Sequence, residues 1–231
     1  MRSGMKQGIE GVAAIIRVAE SVDASADECY AAGWMSEFNH FLPEDFHRAA
    51  QMYQKAAVKG HLSAQLALGE MHFAGKGGYP MDPAMGFSII QKLASQGHVD
   101  AMIYQGVCHW RGRGVEKNIE AARELWEKAA AMGSADAAMH MAEFLMQEGN
   151  SGISKAMPWL EAAAEKGHTE AIGVSGKMCM HGVGVKEDHK RGIELCTRAA
   201  KRGHVGSLVT LAHNLLTFGG GVRDNLEALE F

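Results

Sequence analysis

The sequence predicts an all-α fold, a right-handed α/α superhelix of about six helix–turn–helix repeats, and three observations carry that prediction. A Gly, usually followed by His, recurs at Gly60-His61, Gly97-His98, Gly133-Ser134, Gly167-His168 and Gly203-His204, in steps of 37, 36, 34 and 36 residues. Small residues keep phase with it: Ala64, Ala101, Ala137, Ala171 and Ser207 four positions on, then Gly69, Gly106, Ala142, Gly176 and Ala212 nine positions on. An alanine pair precedes it at Ala56-Ala57, Ala129-Ala130, Ala163-Ala164 and Ala199-Ala200, with Ala94-Ser95 as the exception. Self-similarity at a period of about 20–50 residues marks stacked repeats.

Taken in order, residues 1–22 hold one helical segment, Lys6 to Ser21, with Ile9, Val12, Ala13, Ile16 and Ala19 near 3–4 spacing. It reads as an N-terminal capping helix. The repeat array then fills 23–231, in units of about 23–60, 61–97, 98–133, 134–167 and 168–203, with 204–231 incomplete. The first unit is degenerate: a front helix from Asp27 to Glu37 keeps Gly33, and Pro43-Glu44-Asp45 opens the back helix. Later front helices are expected over 62–74, 99–111, 135–147, 169–181 and 205–217. Back helices are expected over 83–96, 119–132, 153–166 and 189–202. Asp82, Asn118, Asp188 and Asp224 stand where side-chain acceptors cap a helix start. Between front and back helices lie glycine pairs such as Gly112-Arg113-Gly114 and Gly182-Val183-Gly184, which permit the positive φ of a chain reversal. The third unit departs, with a short link at Glu148–Gly152 and Pro158 early in its back helix.

Composition narrows the function classes. Lys and Arg number 23 against 27 Asp and Glu, a formal charge of −4, so no field favours nucleic acid or an anionic membrane. The apolar run Gly11–Ile16 is cut by Arg17 and Glu20, too short for a secretory h-region, and no window reaches the length of a membrane span. A cytoplasmic location is expected. Cys29, Cys108, Cys179 and Cys196 show no C-x-x-C spacing and ignore the repeat, so they are expected to be reduced and structural.

These residues resemble the Sel-one-like repeat family, relatives of the tetratricopeptide repeats. The resemblance rests on Ala64-Gln-Leu-Ala-Leu68-Gly69 through His72 to Gly75, and on Ala101 through Gly106, His109 and Gly112-Arg-Gly114-Val115 to Lys128-Ala129-Ala130. The family's tyrosine row reads His72, His109, Leu145, Cys179 and Leu215 here, and the places of the cysteine pair found in some secreted relatives hold Ala or Ser. The resemblance implies an α/α scaffold for protein complexes and transfers no catalytic site.

The candidate sites come from the rows. Large residues stand four after each front-helix small residue, at Phe73, Trp110, Met146, Met180 and Leu216. Leu66, Ile103 and Met139 stand three before it, and Glu70, Glu143 and Lys177 directly after it. Facing inward, these rows would form an apolar, Met-rich groove edged by mixed charge, suited to varied apolar partners. The competing reading is packing between helices. The histidines after each turn Gly read as turn or surface residues, and His72 and His109 stand about one helix spacing apart, too far for a shared metal. Neither glycine-rich loop opens a helix from a strand, and no nucleophile–base pair stands out, so no catalytic residue, cofactor or metal is expected. The expected function is a non-catalytic protein–protein interaction module that binds a partner protein or peptide. Its alternatives are a dedicated inhibitor or immunity-type partner of one toxin, and a hydrolase. The half-length segment Asp224–Phe231 cannot cover Val209, Ala212 and Leu216 as a full helix would, so either a homodimer through the C-terminal end or fraying of residues of about 218–231 is also expected.

Overall fold

A computed structural model of the chain describes residues 2–38 and 43–218. These residues form twelve helices and no strand: α1 (Arg2–Ala19), α2 (Ala26–Phe38), α3 (Phe46–Val58), α4 (Leu62–Ala74), α5 (Pro83–Ser95), α6 (Val99–Arg111), α7 (Ile119–Ala131), α8 (Ala135–Met146), α9 (Asn150–Glu165), α10 (Thr169–His181), α11 (His189–Ala200) and α12 (Val205–Phe218). The fold class is all-α, helix–turn–helix after helix–turn–helix, as the period predicts. Two compact units divide the chain, Met1–Ala122 and Arg123–Phe231. The segment Asp224–Phe231, expected as a partial back helix, lies outside the described residues.

The turn that recurs with the repeat has a single physical account. Each back helix ends on a Gly with positive φ, between +87° and +100° at Gly60, Gly97, Gly133, Gly167 and Gly203. The Gly N–H and the next N–H reach back to carbonyls in the last turn of that helix. Thus His61 N donates to Ala56 O at 3.1 Å and Gly60 N to Ala57 O at 3.0 Å, and the same pair of bonds closes the other four turns. This is a Schellman arrangement, in which glycine alone meets no Cβ penalty. The histidine that follows does more than sit at the surface. Its Nδ1 accepts the third amide of the next helix: His61 from Ala64 at 3.1 Å, His98 from Ala101 at 3.3 Å, His168 from Ala171 at 3.2 Å and His204 from Ser207 at 3.1 Å. Ser134 does the same for Ala137 at 3.2 Å with its hydroxyl oxygen. The sequence alone marks these histidines as turn or surface residues; they are N-caps, filling the role more often given to Ser, Thr, Asp or Asn.

The other connection explains the glycine pair between front and back helices. Gly75, Gly112 and Gly182 end α4, α6 and α10 in the left-handed region, at φ 62° to 67°. The second glycine is there for closeness. A Cβ on Gly114, at φ +74°, would lie 2.0 Å from Pro83 O on the preceding back helix, and one on Gly184 would lie 2.6 Å from the Ile153 side chain. The caps Asp82, Asn118 and Asp188 accept from Met85, Ala121 and Arg191 at 2.9–3.0 Å, as expected. Their own amides donate to the carbonyls of His72, His109 and Cys179 at 2.8–2.9 Å, so the loop is pinned to the front helix it leaves.

Front and back helices meet at the small residues. A Cβ on Gly86 would stand 2.8 Å from Gly69 O and 2.9 Å from the Phe73 ring, and one on Gly192 would stand 2.2 Å from Met180 Cγ. Around these contacts lie the cores. In the first unit Val12, Ile16 and Ala19 of the α1 segment pack with Ala32 of α2 and Met52 of α3. In the second unit Met180, Ile193, Cys196, Ala200 and Leu211 form one cluster. Two helix starts differ from expectation. Ser25 and Glu28 exchange backbone–side-chain bonds of 2.7 and 3.2 Å in a capping box, which opens α2 at Ala26. α9 opens at Asn150 because Gly149, at φ +80°, turns the chain without a side-chain cap, and the helix continues through Pro158.

Candidate functional site

The front helices of each unit place the residues one after, two before and five after the phased small residue on a common strip. In the first unit that strip is built by α2, α4 and α6. It carries Trp34 and Phe38 from α2, Glu70 and Ala74 from α4, and Tyr104, Val107 and Arg111 from α6. Trp34, Phe38 and Tyr104 are 44%, 52% and 41% exposed, and Trp34 and Phe38 lie with ring centroids 5.8 Å apart.

A cleft of about 360 Å³ opens on this strip, lined by residues of α2, α4 and α6 and by the loops after α4 and α6. Two carboxylates enter it, Glu37 and Glu70. Glu37 accepts from the Tyr53 hydroxyl at 3.0 Å, and Glu70 accepts from the Tyr104 hydroxyl. Burial raises the pKa of Glu70 above the ordinary carboxylate value; Glu37 adds to the rise, while the Tyr104 bond and Arg113 oppose it. Three cations also line the cleft, and each rests on an aromatic ring. Lys76 Nζ lies 3.8 Å from the Phe46 centroid, the Arg111 guanidinium 5.2 Å from Trp110, and the Arg113 guanidinium 4.6 Å from Phe73. Arg113 Nη2 further donates to Phe73 O at 3.3 Å. Cys108 lies at the cleft wall, its thiol pushed up to about 11 by burial.

In the second unit the corresponding positions are His140 and Glu143 on α8 with its C-cap Gln147, and Val174, Lys177 and His181 on α10. His140 Nδ1 and Glu143 Oε2 are 3.1 Å apart, and Lys177 is exposed.

The rows expected to line a groove divide. Glu70, Trp110, Glu143 and Met146 are half-buried, Lys177 is exposed, and these reach solvent. Phe73 and Met180 do not: both are buried, and both press on the small residue of their own back helix, Gly86 and Gly192. For these two, packing between helices is what the geometry gives. Leu66, Ile103 and Met139 are buried as well. At the equivalent place in α10, a Cβ on Gly173 would meet His204 and Ser207, so this row packs beneath the start of the next front helix. Leu216 lies at the other extreme, 88% exposed on α12.

Sequence reasoning missed Trp34, Phe38 and Tyr104. The signal was present, since Trp34 directly follows Gly33 as Glu70 follows Gly69, but degeneracy of the first unit hid the register. Among the described residues no group of three or more His, Cys, Asp or Glu is placed to hold a metal ion, and no helix is long and apolar enough to cross a membrane. The four cysteines are free and buried.

Comparison with known proteins agrees with the repeat. The Sel1 repeat model matches residues 28–61, 62–98, 99–134, 135–168 and 171–204. A Sel1 repeat protein from Oxalobacter formigenes superposes with a TM-score of 0.74 at 23% identity, over 94% of this chain and 92% of that one. A protective antigen of uropathogenic Escherichia coli with an SLR fold gives 0.65 at 24% identity, over 87% of this chain; the chain spans only 44% of that antigen's length. An immunity protein from Pseudomonas aeruginosa gives 0.64 at 16% identity, over 89% of this chain and 75% of that one. At these identities the likeness concerns the fold alone. With five matched repeats covering most of its length in phase with its capped turns, the chain belongs to the Sel1 repeat family.

Proposed function

We propose that this chain is a non-catalytic interaction module that binds a partner protein or peptide on its front-helix face. Sel1 repeats generally mediate protein–protein interaction. The observation that supports the reading here is the row of exposed rings Trp34, Phe38 and Tyr104 on one strip of the first unit, in a chain with only 7% aromatic residues. Exposed aromatic residues gathered on one surface are the usual anchors of an interface. Trp110 and Glu70 in the first unit, and Glu143, Met146 and Lys177 in the second, extend the candidate contacts.

The test compares two truncations in affinity capture of a partner followed by measured Kd. Trp34→Ala removes an anchor worth at least about 2 kcal/mol, roughly 30-fold in Kd, and leaves the melting midpoint nearly unchanged. Phe73→Ala instead costs about 3–5 kcal/mol of stability and leaves the affinity of the folded fraction alone. Undiminished binding by Trp34→Ala together with Trp110→Ala would overturn the reading. A narrower version, a single-target inhibitor of immunity type, is favoured by the immunity proteins that share the fold, and capture of one stoichiometric partner instead of several distinguishes it. The same reading includes self-association through α12. Val209 and Leu216 are 64% and 88% exposed where Leu66 and Phe73, their counterparts, are buried, and light scattering that finds only monomer removes this element.

A further inference from the structure

The charges that the first-unit cleft presents to solvent are positive, and the assignment made from them rests on the front-helix face being the binding face. Lys76, Arg111 and Arg113 line the cleft and are exposed, whereas Glu37 and Glu70 line it half-buried. Three positive charges against two negative ones leave an excess of one, and a partner approaching from solvent meets the cations first.

The two kinds of charge also differ in what already holds them. Glu37 accepts from the Tyr53 hydroxyl at 3.0 Å and Glu70 from the Tyr104 hydroxyl, so each carboxylate has a donor inside the protein. Burial further favours the neutral form of Glu70. The cations rest on rings instead: Lys76 Nζ lies 3.8 Å from the Phe46 centroid, and the guanidiniums of Arg111 and Arg113 lie 5.2 and 4.6 Å from those of Trp110 and Phe73. A ring holds a cation through its quadrupole and brings no negative charge. Arg113 Nη2 donates to Phe73 O at 3.3 Å, and the Arg113 charge opposes the rise in the Glu70 pKa. Even so, none of the three cations has an ion-pair partner among the described residues. Each guanidinium has five N–H donors in a planar fork that matches a carboxylate, and a charge-assisted bond of that kind is about twice as strong as a neutral one. Side chains already held on rings have less freedom to lose when a partner binds.

We propose that this cleft receives an Asp or Glu side chain of a partner polypeptide, its carboxylate held by Lys76, Arg111 and Arg113. The chain as a whole carries a formal charge of −4, so its net field does not draw an acidic partner in from a distance. The contact acts at short range, where matched charges fix register and exclude wrong partners.

The experiment needs no identified partner. Capped tetrapeptides Ac-Gly-X-X-Gly-NH2, with X as glutamate, glutamine or lysine, are titrated into the full chain and followed by NMR, with inorganic phosphate as a fourth probe. The expected result is saturable shifts at the side-chain N–H groups of Arg111 and Arg113 and at the Trp110 indole for the glutamate peptide. The glutamine peptide, with the same shape and no charge, binds at least about tenfold more weakly, a difference of about 1.4 kcal/mol, and the lysine peptide shifts none of these signals. The Glu70 carboxyl titration moves to higher pH when the cleft is filled, because an added anion disfavours its ionised form. The double variant Lys76→Gln, Arg111→Gln leaves the Arg113 bond to Phe73 in place and, checked for an unchanged melting midpoint, loses the preference for glutamate over glutamine. If that variant melts early, Glu37→Gln gives the second measure, since removing one like charge should tighten the glutamate peptide and leave the glutamine peptide unchanged. Glutamine binding as well as glutamate would overturn the charge assignment, and phosphate binding as tightly as the glutamate peptide would overturn the choice of an acidic polypeptide. Shifts confined to other places, or none with any probe, would overturn the inference as a whole, and the Trp34→Ala capture experiment would still decide the broader reading.

Discussion

Replacing His98 tests the central device of the fold, a histidine that ends one helix and opens the next. His98 N donates to Leu93 O at 3.2 Å while its Nδ1 accepts from Ala101 N at 3.3 Å. The first bond is backbone and survives any substitution except proline. The second is lost in His98→Ala, which leaves one of the orphan amides at the start of α6 without a partner. Loss of a side-chain N-cap costs about 1 kcal/mol, within a range of about 0.5–2. The ring is half-buried, so alanine also loses packing, and two further variants separate the causes. His98→Ser restores the acceptor and discards the ring; Ser134 already makes this bond to Ala137 at 3.2 Å. His98→Phe keeps the ring and discards the acceptor. The expected order in urea unfolding is wild type, then Ser, then Phe and Ala, with Ser above Ala by about 1 kcal/mol, or a melting shift of about 2–4 °C for a chain of this size. Amide exchange at Ala101 should accelerate in Ala and Phe and stay slow in Ser. Equal stabilities for Ser and Ala, with unchanged exchange at Ala101, would refute the capping role and reduce these histidines to packing residues.

Other expectations concern the close contacts and the titrating groups. Gly192→Ala forces a Cβ to within 2.2 Å of Met180 Cγ and should destabilise by about 1–3 kcal/mol, whereas Gly11→Ala, with nothing within 4 Å, should stabilise by about 0.5–1 kcal/mol; chemical denaturation of both decides whether glycine is there for closeness. Because burial raises the Glu70 pKa, the native state holds its proton above the ordinary value of 4.5 where the unfolded chain releases it, so this group's contribution to stability falls as pH rises from there. Glu70→Gln should therefore gain relative to wild type as pH rises from about 4.5 to neutrality, and parallel pH–stability curves would contradict this. Cys108 and Cys196, both pushed up to about 11 by burial, should resist alkylation at pH of about 8 in the native state and react at once in denaturant; a Cys179–Cys196 bridge in the non-reduced mass spectrum would contradict the reduced state.

Much of the fold was legible in the chain because the repeat encodes local geometry. A Gly at the end of a helix, an alanine pair before it and an Asp or Asn before the next apolar run each act within a turn or two of helix, so their positions locate the helices without knowledge of the fold. The front helices over 62–74, 99–111 and 169–181 fall where the spacing puts them. The histidine caps were harder to read, because histidine is an uncommon N-cap and its recurrence alone does not say which nitrogen is used. What the sequence could not determine was which of two large rows on a helix meets a neighbour. Phe73 and Trp110 occupy the same place in the repeat, yet Phe73 is buried against Gly86 while Trp110 is half-buried. That outcome depends on what stands across the helix pair, which the period cannot carry. The carboxylate cleft is the extreme case: Glu37, Tyr53, Glu70 and Tyr104 come from four helices, and 67 residues separate the first from the last. Only the stacking of α2, α4 and α6, which brings residues one repeat apart into contact, places Glu37, Glu70 and Tyr104 around one cleft, with Tyr53 of α3 buried and holding Glu37.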